Sequence, residues 1–384
     1  MDFAETDEQR LLRETVAGIA GRYGHRYYVA KARAGEKPDE LWQALGRGGY
    51  LGVAVPEAYG GGGGGMAELA IICEELAAQG CPLLLVVVSL AIAVPIIARF
   101  GSDAQRAQWL PRLATGELKM AFAITEADAG SNSHRLTTTA VSEGDRWRIS
   151  GSKHYISGAD EAQAVLVVTR TGTDPASGRG RLSLFVVDLD APGLERTLIP
   201  VEIVAPEKQF VLSFDRVEVA ADRLLGVEGD GLRQVFCGLN PERIMSAATS
   251  VGLGRYALQR AVAYARERRV WDVPIGAHQG LSHPLADAKV QVELARLMAQ
   301  KAAWCHDTGR EAGEAANMAK YAGAEAALAA LDRAIQVHGG NGLASEYGLA
   351  DLWGITRLLR TAPVSREMVL NFIARHSLGL PESY

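Results

Sequence analysis

About a hundred residues in the middle of this chain carry no helical period, and they separate two stretches that carry little else. From Lys119 to Val219 the residues alternate and are rich in β-branched side chains, as in "LTTTAVSEGDRWRISGSKHYIS". Glu143-Gly144-Asp145 reads as a hairpin turn, and further strands are expected at Ala164–Thr169, Leu182–Val187 and Gln209–Phe214. Before this block the pattern is helical. Thr6 and Gln9 form a capping box ahead of Leu11, Leu12, Val16 and Ile19, and Ser102 with Gln105 repeats it. From Gly231 onward long Ala-rich segments near 240–269, 281–306, 312–337 and 363–376 suit a four-helix bundle. Strands set between two runs of helices argue against a doubly wound sheet. The expected class is α+β, with an N-terminal all-α domain (1–118), a middle β-sheet domain of barrel or sandwich type (119–225) and a C-terminal helical bundle (226–384).

Composition excludes several functions. The net charge of −5 offers no basic surface for nucleic acid. Cys73, Cys81, Cys237 and Cys305 are scattered without metal-ligand spacing, so neither a disulfide framework nor a metal is expected. Pro82 to Ala98 runs without a charge, but Pro95 interrupts it near the lower limit for a span, so a buried helix is the better reading. The acidic start "MDFAETDEQR" lacks the features of a leader, and a cytoplasmic location is expected. Gly60 to Gly65 reads as a flexible turn, since a phosphate loop needs a lysine or a preceding strand. No GxGxxG follows a strand, so a nicotinamide site of that kind is unsupported.

Three stretches combine glycine and polar residues beyond what packing demands. In "FAITEADAGSNS" (Phe122 to Ser133) an apolar strand ends in small residues whose backbone N–H groups can meet a ligand; alternatively it is a strand-end turn. In "GSKHYISGAD" (Gly151 to Asp160), Tyr155 offers a flat face and Ser157 a hydroxyl, unless this is only a surface hairpin. In "QVHGGNGLASEYG" (Gln336 to Gly348) the double glycine exceeds the needs of a helix cap and suits close approach of a ligand.

Together these stretches resemble the acyl-CoA dehydrogenase family over nearly the whole chain. "FAITEADAGS" and "QVHGGNG" look like its two signatures, and "ARERRVWDVPIGAHQG" is similar to its arginine-to-HQ segment, with Val270 and Trp271 in place of the usual threonine and phenylalanine. The resemblance implies a homotetrameric flavoprotein that binds FAD between the sheet domain and the C-terminal helices. It implies Phe122, Ile124 and Thr125 beside the flavin, Tyr155 and Ser157 flanking its ring, and Arg268, Gln279, Gln336 and Gly340 at the pyrophosphate and adenine end, partly across a subunit interface. Ser131 and Arg243 would contact the acyl-CoA substrate, and Ser365 would fall at the flavin. The implied reaction is α,β-dehydrogenation to the trans-2-enoyl-CoA, with flavin N5 taking the β-hydride and an electron-transfer flavoprotein receiving the electrons.

In many members of that family the base is a glutamate followed by Gly-Thr. Ungapped counting from "NGLASEY" places Pro363 there, with Val364 and Ser365 at the Gly-Thr, and Pro363 accepts no proton. Isovaleryl- and long-chain-specific members carry the base in a Glu-Arg pair on the helix opening the C-terminal domain, matched here by Glu242–Arg243. Glu242 is therefore the expected base. The competing reading makes Asn240 an N-cap, Pro241 the first helical residue and Glu242 a first-turn carboxylate favoured by the helix dipole. If the helix instead starts near Gly231, Pro241 would kink it. Two alternative roles stay open: a non-catalytic partner subunit of a heteromeric dehydrogenase, and a flavin monooxygenase on the same fold.

Overall fold

The computed structural model describes residues 4–381, so Met1 to Phe3 of the acidic start lie outside it. Helix α1 (Asp7–Ala34) begins at the expected Thr6–Gln9 capping box and kinks at Gly24, whose φ of 69° no helix tolerates. Helices α2 (Asp39–Arg47) and α3 (Met66–Ala78) follow. The uncharged run then winds as a π-helix from Val86 to Ala93 and continues as α4 (Val94–Phe100), with most of its side chains in the main core. Helix α5 (Asp103–Thr115) opens on the Ser102–Gln105 capping box.

The Gly60–Gly65 run is a turn but a fixed one, which corrects the expectation of flexibility. Gly62, Gly63 and Gly64 donate their N–H groups to the carbonyls of Gly52, Val55 and Val53 at 2.8–3.0 Å. A Cβ on Gly61 would fall 2.0 Å from the Val55 carbonyl oxygen, so close backbone packing requires glycine there.

The middle of the chain forms one eight-stranded sheet: β1 (Met120–Ala123), β2 (Thr139–Glu143), β3 (Arg146–Ser157), β4 (Ala164–Thr173), β5 (Gly180–Asp188), β6 (Leu194–Ile199), β7 (Gln209–Ala220) and β8 (Leu224–Leu225). The order is β6-β7-β3-β2-β4-β5-β8, with β1 parallel to β4. The expected hairpin joins β2 to β3, pairing Glu143 with Arg146 across Gly144-Asp145. One sheet face packs its own core of Trp147, Ile149, Phe185 and Leu212; Leu166, Leu184 and Val186 join the core shared with the N-terminal helices.

Helix α6 runs from Gly231 to Glu267, longer than the sequence pattern implied. Pro241 sits inside it, so Asn240 is not an N-cap and Glu242 is not a first-turn residue. A short hairpin of β9 (Arg269–Val270) and β10 (Val273–Pro274) leads to α7 (Gln279–Asp307) and α8 (Gly313–His338), and these close on α6 as a bundle. Small residues allow the approach: a Cβ on Gly323 of α8 would meet Ala247 Cα at 3.1 Å. Helices α9 (Trp353–Thr361) and α10 (Arg366–His376) complete the chain. Among the described residues no helix is long and apolar enough to cross a membrane, the four cysteines are free, and no His/Cys/Asp/Glu group has metal-holding geometry.

Candidate active site

Two of the three glycine-polar stretches meet in the sheet domain. The His154 N–H donates to the Thr125 carbonyl at 2.8 Å, which joins the loop after β1 to β3. Behind that contact lies a buried ion pair that the sequence reading missed. Lys153 Nζ is 2.8 Å from Glu126 Oε1 and 3.1 Å from the Ile124 carbonyl oxygen, while Glu126 also accepts from the Thr137 and Thr138 N–H groups at 2.7 and 2.9 Å. Burial alone would raise the Glu126 carboxyl, yet Lys153 and these donors hold it down at about 2. Glu126 thus anchors the loop from inside, and Phe122, Ile124 and Thr125 are left half-buried at its start, with Ser131 exposed at its far side.

The register of β3 against β7 slips between Lys153 and Ile156, and this bulge turns Tyr155 outward with φ 58° and 63% exposure. Two residues on, the Ser157 hydroxyl and the Gln209 side chain are hydrogen-bonded at 2.9–3.1 Å, so the hydroxyl is held in place. A flat ring and a fixed hydroxyl on one strand end make a platform for a planar ligand.

Glu242 stands in the fourth turn of α6, clear of the helix N-terminus. No direct ion pair joins it to Arg243: that guanidinium instead donates to the Leu239 carbonyl at 3.1 Å and to Asn240 Oδ1 at 2.9 Å, beside the break in the hydrogen-bond ladder that Pro241 makes. Glu242 keeps part of its surface accessible, but protein surrounds its carboxyl group. Desolvation pushes it up to about 7, against the opposing pull of Arg243 and Lys320. The helix dipole does not act on it, and a carboxylate poised near neutrality suits a general base.

A cavity of about 1160 Å³ lies elsewhere. It lies between α3, α4, α6 and α7 and is lined from α6 by Ala248 and Val251. Val251 is nine residues beyond Glu242, roughly 180° round the helix, so this cavity opens on the opposite face. It belongs with the ion-pair network of Glu5, Arg13, Glu74 and Arg296 rather than with the acid–base chemistry.

The third stretch lies at the other end of the bundle. His338 stacks on Tyr264 with ring centroids 4.2 Å apart, and Asn341 donates to the Tyr264 hydroxyl at 3.1 Å. This pins the glycine turn after α8 to the last turn of α6, next to Arg268. The glycines there serve different needs. Gly339 adopts φ 59°, Gly342 would clash with the Ile335 carbonyl, and Gly340 is open to approach. Arg268, Gln279 and Gln336 are exposed, and their side chains have no hydrogen-bond or ion-pair partner among the described residues. A free guanidinium with two free amides and an open glycine backbone is a donor set for a diphosphate.

Ser365 stands at the start of α10. Its hydroxyl accepts from the Met368 N–H and caps α10, a structural use the sequence reading did not assign.

A helical first domain, a sheet that presents a platform for a planar ring, and a bundle that carries both a poised carboxylate and a diphosphate-type donor set define a three-domain flavoprotein dehydrogenase architecture. Family models for the acyl-CoA dehydrogenase N-terminal, middle and C-terminal domains match residues 6–117, 121–210 and 229–378. The chain is 56% identical over 384 residues to the acyl-CoA dehydrogenase FadE12 of Mycobacterium tuberculosis (strain H37Rv), covering 100% of this chain and 99% of that protein. Among solved structures it is similar to the glutaryl-coenzyme A dehydrogenase glutaryl-CoA complex, with a TM-score of 0.94, 32% identity and coverage of 100% and 98%. It is similar also to the FAD complex of PigA, with a TM-score of 0.92, 26% identity and coverage of 99% and 100%. This chain belongs to the acyl-CoA dehydrogenase family, is an oxidoreductase, and has FAD as its cofactor.

Proposed function

We propose that the protein oxidises an acyl-CoA thioester to the trans-2-enoyl-CoA with Glu242 as the base that removes the α-proton. The observation that carries this is the Glu242 carboxyl itself, desolvated inside α6 and held near neutrality, in a chain whose other expected base position is Pro363. Bound FAD supplies the acceptor for the hydride that leaves the β-carbon. Thr125, Tyr155 and Ser157 orient the planar ring, and the Gln209 hydrogen bond keeps the Ser157 hydroxyl fixed for it. Phe122 and Ile124 pack against the main core, to which Val235, Ile244 and Met245 of α6 also belong. Arg243 and Ser131 contact the thioester's CoA side.

The same reading calls for more than one copy. Arg268, the C-cap of α6, is 26 residues beyond Glu242, roughly 39 Å along the axis. An extended dinucleotide held at the Glu242 end does not reach Arg268, Gln279, Gln336 and Gly340 of the same chain, so a second copy contributes that end. Val290, Leu294, Leu297 and Trp304 of α7 are 41–55% exposed along one helix face, which supports a homotetramer closed through the bundles. Electrons then pass to an electron-transfer flavoprotein. Anaerobic reduction of the bound flavin by acyl-CoA in a Glu242→Gln variant tests the assignment of the base.

A further inference from the structure

The residue that ties the Pro363 corner to the bundle is a lysine. Lys320 lies in a helix of small residues, "NMAKYAGAEAAL", and only 1% of its surface is accessible. A buried ammonium needs acceptors for its protons. Lys320 Nζ finds two, the Arg360 carbonyl at 3.0 Å and the Val364 carbonyl at 2.5 Å, one on each side of Pro363. The neighbouring residues of α8 reinforce the hold: Glu325 accepts from Arg360 Nε at 2.7 Å and pairs with Arg366 Nε at 3.1 Å. Helix α8 also lies against the Glu242 segment of α6, with Gly313 next to Asn240 and Gly323 next to Ala247.

We propose that Lys320 is a positioning residue for Glu242: its ammonium clamps the corner from Arg360 to Val364 beside α6 and sets a buried positive charge facing the Glu242 carboxylate. This rests on Glu242 being the base. The charged groups around the pair are few. The charges that act on Glu242 are Arg243 on its own helix and Lys320 on α8; those that act on Lys320 are Arg243, Glu325, Glu367 and Glu242. Burial pushes the Lys320 ammonium down to about 8, with Arg243 adding to that and Glu325, Glu367 and Glu242 opposing it. The positive charge of Lys320 favours the ionised, proton-accepting form of Glu242. In a member whose base is not supplied from the corner, the corner thus still serves the base, through the lysine that holds it.

The test uses FAD-loaded Lys320→Gln, which keeps a hydrogen-bond donor and removes the charge, and Lys320→Arg, which keeps the charge. Flavin bleaching is followed by anaerobic stopped flow from pH 5.5 to 9.5, with whichever of butyryl-, isovaleryl-, octanoyl- and palmitoyl-CoA bleaches the wild type fastest. The Gln variant should run roughly tenfold slower than wild type near pH 6 and regain most of its rate by pH 9, because losing one nearby positive charge moves the acid limb to higher pH. The Arg variant should keep the wild-type limb. A loss uniform with pH in the Gln variant overturns the proposal, as does a displaced limb in the Arg variant, which also decides the matter if the Gln variant does not fold. Glu242→Gln separates the two readings: if it still bleaches fully, the base assignment has failed; if it does not bleach while Lys320→Gln keeps the wild-type limb, only the role of Lys320 has failed.

Discussion

Glu242 stands inside α6 and Arg268 caps the C-terminus of the same helix, roughly 39 Å further along its axis. The proposed base and the exposed guanidinium proposed for a diphosphate are thus far apart on one scaffold. The first prediction follows from that separation. Arg268→Ala should weaken FAD binding by roughly ten- to a hundredfold, the value of a charged hydrogen-bonding partner. Equilibrium dialysis of the flavin measures it.

The α7 stripe carries the second. Leu294→Glu combined with Leu297→Glu places two charges on a face that is half exposed in the single chain. Light scattering should show loss of the proposed tetramer, and FAD content should fall with it. A tetramer that survives both charges contradicts α7 as the closing face.

The Glu126–Lys153 pair supplies the third. Lys153 is fully buried, so Lys153→Met leaves the Glu126 carboxylate facing one fewer cation inside the protein. Breaking such a pair costs about 3–5 kcal/mol. Chemical denaturation should show that loss, and the double variant with Glu126→Gln should recover part of it.

The fourth concerns pH, and here activity and stability move in opposite directions. The Glu242 carboxyl is raised from 4.5 to about 7 in the folded chain. Flavin reduction should therefore rise through pH 7 as the base ionises. A raised acid contributes stability that is fully present below its unfolded value and is lost as pH rises through its folded value. FAD-free Glu242→Gln should accordingly be more stable than FAD-free wild type at pH 8, by about 3 kcal/mol at most, with the difference nearly gone by pH 4.5. Thermal melts across that range give the sign directly.

Much of this was legible in the residues because local signals and tertiary structure agreed. The Thr6 and Ser102 capping boxes start their helices as read, and the Gly144-Asp145 turn joins the strands it was expected to join. The start of α6 was harder to read. Asn240-Pro241 carries every local mark of a helix N-terminus, yet burial of both neighbouring turns carries the helix straight through the proline. Strand β6, with an exposed and charged "LERTLI", has no alternation of burial to reveal it. At the site, Glu242 and the exposed donors could be named from the sequence, but their supports could not. Lys153, Gln209 and Lys320 act through partners distant in sequence, and the one trace any of them left was a lone lysine in an otherwise small-residue helix. Ser365 has a local use that the sequence reading did not assign, a hydroxyl that caps α10.

The central claim is that Glu242 takes the α-proton, and one measurement addresses it without intermediaries. Purified, FAD-loaded Glu242→Gln is mixed anaerobically with acyl-CoA and the flavin absorbance is followed. The variant should keep its yellow flavin and bind the thioester, while its reduction slows by roughly a thousandfold or more, the scale on which a positioned base contributes. Full bleaching at the wild-type rate would place the base elsewhere in the chain.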